Sequence, residues 1–207
     1  APAALTGNVF EDVNFDGLDN NNVDISNVTV VLYNVVGNPI GSTTTDANGN
    51  YTFDNLTPGI YSVGFVTPSG YEFTSSSVDN DANPITGETN SITLQSGETG
   101  VLDAGMVQTA TIAGTVFNDV NANGTAETGD NGIGGTQVIL YNANGTVATD
   151  ANGVPQVTTT NASGDYVFDN LLPGSYYVQF SNPSGTEFSP QTLGTNGSDA
   201  DPNTGQS

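Results

Sequence analysis

The 207-residue chain contains no lysine, arginine, histidine or cysteine. Each absence excludes something. Without Lys or Arg there is nothing to neutralise phosphates, so nucleic-acid binding is excluded. Without Cys there are no disulfides, and without Lys there is no Lys–Asn isopeptide staple. With neither imidazole nor thiolate, soft-metal sites are excluded and only oxygen ligands remain. No apolar run is long enough to span a bilayer, and no secretion signal opens the chain, which reads as a mature secreted product or as a piece produced by itself.

What is present is one-sided. All 22 charged side chains are carboxylates, giving a formal net charge of −22. The countercharge must be solvent cations or bound metal. A halophilic protein would spread acids over exposed strand faces. Here most Asp residues sit in loops, often two apart, which favours discrete sites for a hard ion.

The stretch from Asp12 to Asp24 carries the first such pattern. Asp12, Asn14, Asp16, Gly17, the Leu18 carbonyl and Asp24 follow the opening of an EF-hand calcium loop, where oxygens come from alternate positions and a glycine turns the backbone so that they converge. Val23 holds the twelfth place, so the loop must pucker for Asp24 to serve. The pattern recurs in cleaner register at Asp119, Asn121, Asn123, Gly124, the Thr125 carbonyl, Glu127 and Asp130. Asp, Asn and Gly are also ordinary turn formers. The duplication at equivalent places is what favours Ca²⁺, several ions per chain.

The whole sequence is duplicated. Residues 7–17 (GNVFEDVNFDG) match 114–124 (GTVFNDVNANG), and 28–34 (VTVVLYN) match 136–142 (TQVILYN). Residues 46–65 match 161–180, 67–74 match 182–189, and 79–87 match 199–205. A period of roughly a hundred residues means tandem domains rather than a solenoid. The expected units are 1–108 and 109–207. Val28, Val30 and Leu32, then Tyr61, Val63 and Phe65, then Tyr176, Val178 and Phe180 recur at every second position, the mark of half-buried strands. Asn48-Gly49, Ser163-Gly164, Pro58-Gly59 and Pro173-Gly174 mark turns. No helical periodicity stands out. The fold expected is all-β, two tandem Ig-like sandwiches. With no Gly/Ser linker between them, a rod-like arrangement is expected. The second repeat stops at Ser207, so the counterpart of residues 89–107 is absent. Either the array continues, or a neighbouring copy supplies the strand by β-addition.

The F-x-D-x-N-x-[DN]-G loops from Phe10 and Phe117 are followed by GIGGTQVILY, TTDANGNYTF, PGIYSVGF, VDNDANPITGET and GETGVLDAGM. In this order the motifs resemble the calcium-binding B-type domains of serine-aspartate-repeat surface adhesins and, more broadly, the Cna-B-like sandwiches. The resemblance covers nearly the whole chain. It implies an extracellular or cell-surface spacer that binds more than one Ca²⁺ per domain and stiffens when it does. It also implies a further site at Asp79 and Asp81 with Asp103 joining, and a partner site at Asp199 and Asp201. Asn123 and Val23 depart from the family's acidic pattern and lower the ligand charge.

Three functions follow. The first is a calcium-stiffened stalk, filament or matrix fibre whose partners are other copies of itself, end to end or by strand addition. The second is an adhesin module that recognises a host protein or polysaccharide, with Phe15 and Tyr71 as exposed candidates. The third, a two-carboxylate glycosidase, is set aside because each clustered pair of acids is better explained as ion ligands.

Overall fold

In the computed structural model, residues 1–20, 23–75, 77–150, 153–192 and 197–207 are described. They contain fourteen strands and no helix. The chain divides into two compact units, Ala1–Thr109 and Ala110–Ser207.

In unit 1, β1 (Ala3–Glu11) pairs antiparallel with β4 (Asn50–Leu56) on one side. On its other side it pairs in parallel with β8 (Thr99–Val101) and β9 (Ala104–Gln108), and β9 continues to β6 (Tyr71–Phe73). The facing sheet runs β3 (Pro39–Thr44), β2 (Thr29–Asn34), β5 (Gly59–Phe65), β7 (Ile92–Leu94). Alternation decides which side chains lie between the sheets. From β1 these are Ala3, Leu5 and Val9, from the strand opposite Val30 and Leu32, and from β5 Tyr61, Val63 and Phe65, all buried in one core. Each such Val or Leu contributes about 1.5–3 kcal/mol on leaving water. Leu102, Ala104 and Met106 close the core from the β8–β9 side.

That closure explains a glycine. A Cβ on Gly7 would lie 1.8 Å from the Leu102 carbonyl oxygen. Only a bare Cα lets the β8–β9 backbone come so near. The Tyr51 hydroxyl, one strand over, donates to the same Leu102 oxygen at 2.6 Å.

Unit 2 repeats this plan through residue 207. Strand β10 (Ala110–Thr115) pairs with β13 (Asp165–Leu171), and β11 (Gln137–Asn142) lies between β12 (Val157–Thr159) and β14 (Tyr176–Phe180). The β1–β4 register shift recurs in β10–β13, and in both an Asn with positive φ, Asn55 (58°) or Asn170 (55°), sits at the end of the partner strand. The core is smaller: Val138, Leu140, Ala148, Phe168, Leu171 and Val178. Tyr176 and Phe180, expected on the core face with Val178, are only partly buried. Thr89 and Ser207 hold equivalent places, their amides donating to Val63 and Val178 respectively.

Candidate metal centre

The loop after β1 is built around Asp12, whose side chain is wholly buried. Its Oδ1 accepts the Asp16 amide at 3.0 Å, and its Oδ2 accepts the Gly17 amide at 2.7 Å and the Thr74 hydroxyl. Phe15 (φ 56°) and Gly17 (φ 80°) turn the chain so that these amides face one carboxylate. Asp16 stands outside the turn and accepts from Asn14 and Asn20 side-chain amides, each at 2.8 Å, and from the Leu18 amide at 2.9 Å. The Asn20 amide, then the Leu18 amide, hold the Asp16 carboxyl below its ordinary range. The Leu18 carbonyl accepts the Asn20 amide at 3.0 Å.

The second loop has the same frame. Asp119 accepts the amides of Asn123 (3.1 Å) and Gly124 (2.7 Å), and Ala122 and Gly124 have positive φ. Burial opposes its charge, but the Gly124 amide and the Ser189 hydroxyl outweigh it, so its pKa is lowered. Glu127 gathers the side-chain amides of Asn121 and Asn123. Asp130 closes the loop by accepting the amides of Val120 and Glu127. Thr125 forms an isolated bridge with Gly197.

The contacts of Asp24 run to a different group. It forms an isolated bridge with Phe10 and accepts the Asn8 side-chain amide at 3.2 Å. Asn8 sits on β1, and its backbone amide donates to Asp103 Oδ1 at 2.7 Å. Asp103 and Asp81 are locked together: the Asp81 amide donates to the Asp103 carbonyl, and the Asp103 amide to Asp81 Oδ2, both at 2.9 Å. Asp79 accepts the Asp19 amide at 3.2 Å. Burial first, and then the charges of Asp24 and Asp79, push Asp19 upward. Burial also raises Asp103, against the pull of the Asn8 amide, and the charges of Asp81, Asp19 and Asp79 add to the rise. Five carboxylates from three inter-strand segments thus share one electrostatic neighbourhood.

Asp19 and Asn8 are members that sequence reasoning missed. Asp19 lies within the Asp12–Asp24 loop but off the alternate-position pattern, and Asn8 lies inside a strand. Only their contacts reveal them.

In unit 2 the hydrogen bonds revise one sequence pairing. The Asp201 carboxylate accepts the amides of Asn203 and Thr204, each at 2.9 Å. Asn83 does the same for Ile85 and Thr86. Asp201 therefore corresponds to Asn83 and is a turn former, and Asp199 corresponds to Asp81. The gap of two in the motif alignment concealed this. Asp199 acts on Tyr166, whose pKa is raised by burial and then by that carboxylate.

Among the described residues no three carboxylates are disposed as a ready-made cage for a metal. The donors nevertheless suit a hard ion. They are carboxylate and amide oxygens, they repel one another, and no protein cation offsets them. Asn8, whose Nδ2 and backbone N donate to Asp24 and Asp103, keeps its Oδ1 buried without a hydrogen-bond partner. A buried unpaired oxygen costs about 1–3 kcal/mol, which a coordinated cation would recover.

The strands, the duplication and the acidic loops define a tandem of β-sandwich modules. The chain belongs to the SdrD B-like domain family, which matches residues 3–106 and again 110–207. It is 39% identical over 180 residues to serine-aspartate repeat-containing protein F of Staphylococcus epidermidis, covering 86% of this chain and 11% of that protein. It is 34% identical over 194 residues to serine-aspartate repeat-containing protein D of Staphylococcus aureus, covering 90% and 14%. The chain thus spans only a small part of the relatives it matches. Among solved structures it is similar to the Bacillus anthracis TIE protein (TM-score 0.43, 18% identity, 88% of this chain and 29% of that one). It is also similar to a major pilin subunit of Bacillus cereus (TM-score 0.38, 12% identity, 95% and 94%). The chain is an extracellular, cell-surface module and not an enzyme. Among the described residues no helix is long and apolar enough to cross a membrane.

Proposed function

We propose that the chain is a calcium-stiffened segment of a surface stalk or filament. The observation that carries this is the set Asp19, Asp24, Asp79, Asp81 and Asp103, linked to one another by hydrogen bonds and mutual repulsion and to Asn8 through Asp24 and Asp103, in a chain without Lys, Arg or His. These residues join the loop after β1, the turn before β7 and the end of β8. A divalent ion shared among them would tie together three segments that otherwise repel. Asp12 and Asp119 frame the loops, and Asp16, Asn14 and the Leu18 carbonyl, or Asn121, Asn123, Glu127 and Asp130, would hold ions at the rim. Ions that bind only the folded state stabilise it by RT ln(1+[L]/Kd). At extracellular-module affinities of about 10⁻⁴–10⁻³ M, millimolar calcium gives on the order of 0.4–1.4 kcal/mol per site.

The test is thermal unfolding in millimolar calcium and in EGTA at fixed magnesium, with electron microscopy of the same samples. A rise in Tm with calcium, and rods or fibres lost in EGTA, supports the reading. An unchanged Tm refutes it.

One observation favours a second, adhesive reading. Tyr141 and Tyr177 stack with centroids 5.2 Å apart and planes 8° apart on the outer side of the β12–β11–β14 sheet. In unit 1 the residue paired with Tyr33 is Ser62, so the platform belongs to one repeat only. A stacked, uncharged pair suits the apolar face of a neutral sugar. Glycan binding lost in Tyr177→Ser, with Tm unchanged, would favour it.

A further inference from the structure

The outer face of the β12–β11–β14 sheet differs from the matching face of unit 1 at three places that lie together. Tyr33 and Tyr141 are equivalent, each on a strand flanked by two partners and each facing away from the core. Opposite Tyr33 stands Ser62, and the next residue on that face of β5 is Gly64. A Cβ on Gly64 would lie 3.1 Å from the Tyr33 ring, so the ring lies down over this glycine. Glu88 pairs with Gly64, and its side chain would be 3.5 Å from the same Cβ. In unit 2 the three places are held by Tyr177, Gln179 and Gln206. Gln179 puts a side chain where the Tyr33 ring lies in unit 1, so Tyr141 cannot fold down. It stands against Tyr177 instead, with planes 8° apart and centroids at 5.2 Å. Gln206 takes the place of a carboxylate.

Along β11 the same face continues through Ile139 to Gln137, with Val157 and Thr159 beside them on β12. None of these side chains is charged, in a chain of net charge −22. Tyr141 and Gln137 are about 14 Å apart at roughly 3.4 Å per residue, longer than a single sugar ring. We infer that this face binds one extended, neutral hexose polymer, its chain running along β11. The inference rests on the adhesive reading and adds to it the ligand class and the residue that raises the platform. The C–H faces of the sugars pack on Tyr141, Tyr177 and Ile139, and their hydroxyls pair with Gln137, Gln179 and Gln206. Aromatic rings beside amides that both donate and accept match a ligand that is apolar on its faces and hydroxylated at its edges. An anionic polymer of the same shape is repelled by the carboxylates of the chain. Gln179 is a positioning residue, because it holds the tyrosine pair upright. Unit 1, with Tyr33 lying flat and Glu88 alongside, lacks the platform.

The test is affinity electrophoresis of the full chain in calcium-containing native gels cast with hydroxyethylcellulose, galactomannan or polygalacturonate. Retardation by a neutral polymer, and none by polygalacturonate, is expected. Gln179→Gly, which installs the residue of unit 1, should weaken binding about two- to tenfold although both tyrosines remain, the worth of one aromatic contact. Glycine also weakens a strand, so a graft in the other repeat serves as the second variant. Ser62→Tyr with Gly64→Gln and Glu88→Gln builds the platform in unit 1 and should bring the same retardation at about half the polymer concentration or less. Retardation by none of the three polymers overturns the adhesive reading and this inference with it. Equal retardation by polygalacturonate, or neutral-polymer binding that both Gln179→Gly and the graft leave unchanged, overturns the inference while a glycan-binding surface stands. Free glucose or mannose that abolishes the retardation at equal hexose concentration overturns the extended ligand.

Discussion

Asp12 is the residue whose role the structure changes most, and Asp12→Asn measures that change. As the first position of a calcium loop, its carboxylate would matter only when the ion is bound. In the structure it is wholly buried and serves three donors at once, the amides of Asp16 and Gly17 and the Thr74 hydroxyl. Asparagine keeps the shape and one oxygen. That oxygen can retain the amide of Gly17 or of Asp16, and the Thr74 hydroxyl can rotate to accept from the new amide group. One hydrogen bond to a charged acceptor is then lost outright, worth about 1.5–3 kcal/mol. For a domain of this size, about 2 kcal/mol lowers Tm by roughly 8–16 °C. The assay is calorimetry of the full chain in EGTA, where the two units are free to unfold in separate transitions. The transition of unit 1 should fall by that amount while that of unit 2 stays. A shift confined to calcium-containing buffer, with no change in EGTA, would show that the carboxylate acts only as a ligand and would refute the reasoning.

Three further outcomes are expected. Tyr51→Phe removes the buried bond to the Leu102 carbonyl and should cost unit 1 about 1–3 kcal/mol by urea denaturation. Tyr166→Phe should leave the stability of the unliganded chain nearly unchanged. Asp81→Asn or Asp103→Asn should raise stability in EGTA, because each removes a charge from a repelling group, and should reduce the Tm gain on adding calcium, read by differential scanning fluorimetry. The pH dependence in EGTA follows from the same group. Asp19 and Asp103 have folded pKa values raised above the ordinary 3.8. The folded state therefore binds their protons first, and stability rises as pH falls through the raised values toward 3.8. Asp16, Asp119 and Asp201 are lowered, so their contribution is present above 3.8 and is lost as pH falls below it. A pH–Tm profile in EGTA should therefore pass through a maximum on the acidic side of neutrality, and one that falls steadily from pH 7 would contradict the assignment of the raised pair.

The strands were legible because burial between two sheets imposes a period of two. Val28, Val30 and Leu32, or Tyr61, Val63 and Phe65, announce their inward face without reference to any partner. The two loops were legible because a tight turn that gathers backbone amides on one carboxylate needs an Asp at its start and a glycine of positive φ, and Asp12 with Gly17 and Asp119 with Gly124 supply both. The repeat was legible as plain self-similarity.

Membership of the acid group was not legible, because it is a property of distance in space rather than spacing in sequence. Asp24 satisfies a loop pattern yet contacts Asn8 on β1, and Asp103, far along the chain, meets Asn8 and Asp81 because β8 and β9 lie in parallel beside β1. Asp201 fits the motif by alignment, but its carboxylate is spent on its own turn. Tyr33 and Tyr141 are the same letter in the same motif. Composition and period alone determined that this protein is all-β, duplicated, acidic and without Lys, Arg, His or Cys. Which carboxylates repel one another, and why one tyrosine lies over a glycine while its twin stands against a neighbour, was decided only when the chain closed on itself, because both depend on contacts between residues remote in sequence.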